Sequence, residues 1–148
     1  DHRDLHSFPT RRSSDLAKTF PGIDEVISAI EGLGINWGIV TNKSKRFAKP
    51  LLRKLELLNR TACLVCGDTT NNLKPDPEPI NYALSFLKTK NTKKSFYIGD
   101  SKKDVDAAKS AGISSIACTY GYIYDSTNPK DWKADFYVDH ALEILDVI

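Results

Sequence analysis

The 148-residue sequence has no apolar stretch approaching the ~20 residues that cross a bilayer, so it holds no candidate membrane-spanning helix. It also lacks a surplus of either charge. Its 21 Lys and Arg stand against 19 Asp and Glu, a net charge of +2. That balance gives no reason to expect nucleic acid or a membrane surface as partner. Cysteine is scarce, and three residues without a secretion signal point to a reducing, cytoplasmic setting. Cys63 and Cys66 form a C-x-x-C in TACLVCG, which raises a redox or zinc reading. No second Cys or His pair completes a zinc site, and His2, His6 and His140 form no ligand cluster. Period-two geometry in an apolar strand also turns the two thiols to opposite faces. A last absence is that no D-x-D occurs before Thr41.

What is present is the composition of one ordinary globular domain, 41% hydrophobic and 27% charged. A chain of this size buries roughly 70% of its unfolded surface. The opening stretch DHRDLHSFPTRRSSDL is the exception. It shows neither strand alternation nor helical period, and Asp1, Asp4 and Asp15 offset Arg3, Arg11 and Arg12, so it is no basic arm. Back-translated with suitable codons, Asp1 to Leu16 resembles a widely used short-read sequencing adapter in one continuous frame. Residues 1–16 are therefore expected to be non-native and disordered, with the domain proper over 17–148.

From Phe20 onward helices and strands alternate. PGIDEVISAIEGLG spaces Val26, Ile27, Ile30 and Leu33 as a helix does and stops at Gly34. INWGIVT, TACLVCG, KSFYIGD, SSIACTY and ADFYVD read as strands. SKRFAKPLLRKLELL predicts a helix whose first turns are irregular or kinked at Pro50. DPEPINYALSFLK predicts a helix capped by Asp76 with Pro77 at its first position, KKDVDAAKSAG a helix closed by Gly112, and HALEILDVI a terminal helix. This alternation predicts an α/β fold, a mostly parallel sheet with helices on both faces. Ligands collect at the carboxyl ends of such strands.

Three strand ends carry chemistry. In IVTNK, Thr41 and Asn42 can hold a phosphate oxygen, or can simply cap the next helix together with Ser44. In LKPDP, Pro75 extends Lys74, whose ammonium suits a phosphoryl group or stays solvated before a Pro-initiated helix. In FYIGDSKKD, Asp100 and Asp104 can hold a hard divalent cation, while Ser101-x-x-Asp104 also satisfies a capping box.

In this order, each at a strand-to-helix turn, these segments resemble the haloacid dehalogenase-like superfamily of Mg²⁺-dependent phosphohydrolases. The resemblance runs from about Phe20 to the end, and TNK, KPDPEPI and TYGY (Thr119–Tyr122) are similar to its phosphoglycolate phosphatase-like subgroup. It implies a Rossmann-like core. It also implies Thr41, Asn42 and Lys74 on the phosphate of a small phosphorylated metabolite, with Thr41 and Lys74 catalytic. Asp100 would be a direct Mg²⁺ ligand, with Asp104 supporting the metal site. The implied chemistry is an aspartyl-phosphate formed and then hydrolysed. Tyr120 and Tyr122 would line the rim or serve as packing.

The same resemblance places the attacking aspartate in a D-x-D-G-T motif on a first, central strand, and puts a cap domain after it. Neither has a counterpart here, so the chain is expected to be inactive alone, a partial core without its central strand. The missing strand would lie between those ending at Thr41 and Asp100, leaving a gap of roughly 9–10 Å and aggregation-prone open edges. Other readings are a sugar-phosphate phosphatase or phosphomutase, a non-catalytic phosphate-binding member of the fold, and a phospho-acceptor receiver domain. Receivers run Asp, Thr/Ser, Lys along the chain; here the order is Thr41, Lys74, Asp100.

Overall fold

Pro21 and Gly22 punctuate the chain, and α1 (Ile23–Gly32) follows, burying Val26 and Ile27 on its apolar stripe. The structure, a computed structural model, describes residues 18–89, 92–121 and 127–148. The segment 1–16 and Tyr122 lie outside the described residues. After α1 come β1 (Ile39–Val40), α2 (Lys45–Lys54), β2 (Leu64–Val65) and α3 (Glu78–Leu87). Then follow β3 (Phe96–Gly99), α4 (Lys102–Ala111), β4 (Ser114–Cys118), β5 (Phe136–Val138) and α5 (Ile144–Val147).

All strand pairs are parallel. Among the described residues they form two sheets, β1-β2 and β3-β4-β5. The alternation along β4 shows why helices cover both faces. Ile116 and Cys118 pack with Val26 of α1, Val138 and Ile144, whereas Ala117 between them packs with Val105 of α4 and Trp132. Ile80 of α3 and Ala107 and Ala108 of α4 form a neighbouring cluster. No helix among the described residues is long and apolar enough to cross a membrane.

Local details depart from expectation where burial outweighs propensity. α2 is one continuous helix from Lys45 with Pro50 inside it, not a kinked start. Pro50 is exposed while Ala48, Leu51 and Leu52 are buried, so the missing backbone N–H lies on the solvent side and the packed side stays whole. α3 begins one residue later than read, yet the Asp76 carboxylate still caps it, accepting from Glu78 N at 2.9 Å. The terminal helix divides into a 3₁₀ turn (Ala141–Glu143) and α5. The strand readings at INWGIVT and TACLVCG shrink to two residues each.

Candidate active site

β1 donates toward β2 through Ile39 N (3.0 Å to Cys63 O) and Thr41 N (2.8 Å to Val65 O). By the alternation of a strand, the carbonyl of Val40 then points to the opposite edge. Just past that edge the chain turns tightly. Thr41 Oγ1 accepts from Lys43 N at 3.1 Å, and Lys43 O accepts from Gly67 N at 2.7 Å, which pins the ends of β1 and β2 together. Ser44, the cap of α2 by position, makes no side-chain cap bond, and Asp68 Oδ1 takes Lys45 N at 3.0 Å instead. The capping explanation therefore does not account for Thr41 or Ser44.

Asn42 has a definite task. Its Nδ2 donates to Lys74 O at 3.1 Å and its Oδ1 accepts from Lys74 N at 3.0 Å, a reciprocal pair that fixes the Lys74 backbone. The amide therefore faces Lys74 and positions it. The Lys74–Pro75 peptide that follows is cis.

The Lys74 side chain turns inward and is not solvated. Its Nζ donates to Asp104 Oδ1 at 2.7 Å, Tyr97 Oη at 2.8 Å and Val40 O at 3.2 Å, one acceptor for each ammonium proton. The ion pair is buried, with both side chains 10% exposed. Burial opposes the Lys74 charge, but the Tyr97 oxygen and the Asp104 carboxylate outweigh it, so its pKa stands above that of an ordinary lysine. Burial likewise pushes the Tyr97 phenol up to about 12 while Lys74 pulls it down, so the hydroxyl keeps its proton. That proton goes to Val40 O at 3.0 Å.

At the end of β3 the Asp104 carboxylate does two jobs. Oδ1 holds Lys74, and Oδ2 accepts from Asp100 N (3.1 Å), Ser101 N (3.2 Å) and Ser101 Oγ (3.0 Å). The capping box anticipated from Ser101-x-x-Asp104 is therefore present, and the same carboxylate is also half of a buried ion pair. Two glycines make room. A Cβ on Gly99 would collide with the Asp104 carboxylate, and one on Gly121 with that of Asp100. Gly121 thus lies directly against the candidate ligand. Gly121 belongs to the TYGY segment, in which the tyrosines are the residues that local sequence marks. Tyr120 packs edge-on against Phe20, with ring centroids 5.3 Å apart.

Asp100 offers one carboxylate at a strand end, while both oxygens of Asp104 are engaged within the protein. Among the described residues no group of three or more His, Cys, Asp or Glu gathers. These residues do not complete a magnesium site by themselves, and Asp100 is the member that can enter one.

Cys63, Cys66 and Cys118 are free, buried and on the high side of the thiol range, because burial disfavours the thiolate; Cys118 is pushed up to about 11. At about pH 8 the folded chain is expected to leave all three unreactive toward Ellman's reagent, with urea exposing them together. Fast labelling of Cys63 or Cys66 in the native chain would revive the redox reading.

Tyr97 escaped the sequence reading. Within the apolar run FYIG it is legible as a strand residue, and nothing local marks its hydroxyl as a partner of Lys74.

Comparison with known proteins bears on the same residues. Residues 3–118 match the family described as haloacid dehalogenase-like hydrolase. N-acetylmuramic acid 6-phosphate phosphatase of Pseudomonas aeruginosa is 41% identical over 133 residues, 90% of this chain and 58% of that protein. Phosphoglycolate phosphatase of Xylella fastidiosa is 37% identical over 134 residues, 89% of this chain and 58% of that protein. A crystal structure of a predicted phosphoglycolate phosphatase from Haemophilus somnus superposes with a TM-score of 0.80 at 28% identity, covering 86% of this chain and 56% of that one. The chain thus spans 58% of the length of these curated relatives.

Proposed function

The chain belongs to the haloacid dehalogenase-like hydrolase family, and from that premise we propose that it forms the phosphate- and cation-binding part of a phosphatase for a small phosphomonoester. One observation carries the reading. The buried Lys74–Asp104 pair draws three separate strand-end segments to one place. Lys74 Nζ reaches the carbonyl of Val40, the residue before Thr41, and Asp104 holds the backbone N–H of Asp100.

In this reading Thr41 Oγ1 faces the phosphoryl oxygens, and the positive charge of Lys74, whose protons are held within the protein, offsets their charge through space as it builds during transfer. Asn42 and Asp104 position Lys74 from its backbone and its head group. Asp100 enters the coordination of a magnesium ion, which when bound would neutralise further phosphoryl charge. The absence of a Cβ at Gly121 lets the Asp100 carboxylate lie against its backbone. No D-x-D precedes Thr41, so no residue here is assigned as the nucleophile and the chain alone is assigned no turnover.

Phosphoglycolate is the substrate the motifs favour, and the 41% relative named for N-acetylmuramic acid 6-phosphate sets a 6-phosphorylated amino sugar beside it. The test is to join residues 17–148 to an upstream segment that supplies a D-x-D-G-T motif and a cap domain. Magnesium-dependent phosphate release from one of the two substrates is expected, with none from the 148-residue chain. A joined enzyme inert toward both, or turnover by the chain alone, would overturn the proposal.

A further inference from the structure

Lys74 is carried by a loop, residues 66–77, that runs from β2 to α3 without helix or strand. Burial does little for the stretch ahead of the lysine, since Asn71, Asn72 and Leu73 are all exposed. What fastens it is the carboxylate of Glu78, the first residue of α3. Glu78 Oε1 accepts from Asn71 N at 2.7 Å, and Oε2 accepts from Asn72 Nδ2 at 2.9 Å. The stretch behind the lysine ends on the same residue. Glu78 N donates to Asp76 Oδ1 at 2.9 Å, and Asp76 N donates to Leu73 O at 2.9 Å. Both flanks of Lys74 therefore meet at Glu78. We propose that Glu78 is a positioning residue for Lys74: its carboxylate closes the loop onto the start of α3, so that the lysine is presented from a fixed backbone.

A glutamate in the first turn of a helix has an ordinary explanation, attraction to the helix N-terminus. That account leaves the geometry unexplained, because both oxygens of Glu78 are taken by groups seven and six residues back along the chain. The bonds from the Asn72 amide and the Asn71 N–H hold its carboxyl below the usual carboxylate range, so the clasp is ionised at neutral pH. Its anchor is firm. Pro79 and Ile80, next in α3, are buried, and Ile80 packs on Ala107 and Ala108 of α4, the helix whose first turn holds Asp104. Lys74 and Asp104 are thus referred to one pair of packed helices. Asn42, in the turn after β1, completes the fixing through the Lys74 N–H and carbonyl. None of the Glu78 bonds involves β1 or β3, so the clasp does not depend on what lies between those strands. Its consequence for catalysis rests on the role proposed for Lys74; the clasp itself does not.

The test compares wild type, Glu78→Ala, Asn72→Asp and the double variant Asn72→Asp with Glu78→Gln. Asn72→Asp sets two carboxylates face to face. The double variant exchanges donor and acceptor, so the introduced amide donates to the introduced carboxylate and still accepts from Asn71 N. In the 148-residue chain, amide hydrogen exchange at Asn71 and Lys74 is expected to rise about tenfold or more in both single variants. It should return to within about threefold of wild type in the double variant, with Ile116 of β4 unchanged throughout. A glutamate acting only on the helix terminus would leave the double variant as open as Glu78→Ala. Wild type alone gives a reading that needs no variant to fold: the Asn71 amide, on an exposed residue, should exchange about tenfold or more slower than a free amide of the same sequence. In the joined enzyme, both single variants are expected to lower kcat about tenfold with KM within about twofold, and the double variant to recover most of the loss. An unprotected Asn71 in wild type, Lys74 exchange unmoved by Glu78→Ala, a double variant no better than Asn72→Asp, or kcat unchanged in both single variants would overturn the positioning role. A joined wild-type enzyme that releases no phosphate would count against the proposed function, and the exchange pattern would still decide the clasp.

Discussion

Asp104→Ala is expected to destabilise the chain by about 3–5 kcal/mol, because it strands the Lys74 ammonium in a site where both partners are 10% exposed. The loss of the Ser101 capping box adds about 1 kcal/mol. Burial, now unopposed by the carboxylate, would pull Lys74 down and favour its neutral form. The contrast lies in the double substitution. Lys74→Met with Asp104→Leu removes both charges together and is expected to recover most of the loss, since a buried pair replaced by apolar groups of similar volume is often near neutral. Urea unfolding of wild type, Lys74→Met, Asp104→Leu and the double variant measures the coupling; additive effects would mean that the pair contributes nothing as a pair. The pH dependence has a definite sign. The folded pKa of Lys74 is raised, so its contribution is complete below the ordinary lysine range and is lost only as pH climbs above it. The contribution of this group to the stability of the wild-type chain is thus expected to be flat from about pH 6 to 9.

Lys74→Ala is expected to cost the joined enzyme a factor of about 10²–10³ in kcat/KM, the usual result of deleting one preorganised group aimed at developing oxyanion charge. Lys74→Arg should not restore it. The planar fork of a guanidinium cannot meet Val40 O, Tyr97 Oη and Asp104 Oδ1 from one nitrogen as an ammonium does. Steady-state phosphate release from the joined enzyme and its two variants decides the matter. A rate within threefold of wild type for Lys74→Ala would remove Lys74 from the chemistry and leave it as half of a structural ion pair.

Thr41, Lys74 and Asp100 were legible in the linear sequence because each sits at a boundary that local chemistry announces. An apolar run ends at Thr41, Pro75 marks the loop bearing Lys74, and Gly99 precedes Asp100 with a capping box behind it. The βα order was legible for the same reason: strand and helix periods differ, and Gly and Pro separate them. Local punctuation misled at Pro50, where the buried faces of Ala48, Leu51 and Leu52 hold the helix through the proline.

Which partner each of those residues takes was decided only by the tertiary structure. The Lys74–Asp104 bond joins residues 30 apart, the Asn42–Lys74 pair residues 32 apart, and the Tyr97–Val40 bond residues 57 apart. No sequence period links positions at such separations. They meet because parallel strands bring their carboxyl ends to one side, and because burial leaves each polar group there with a high cost unless another satisfies it. The sequence by itself determined that a lysine, a threonine and two aspartates would stand between the strands and the helices that follow them or in the first turn of such a helix. Burial and the geometry of the two sheets decided that one of those aspartates, together with a tyrosine and a strand carbonyl, holds the lysine in place.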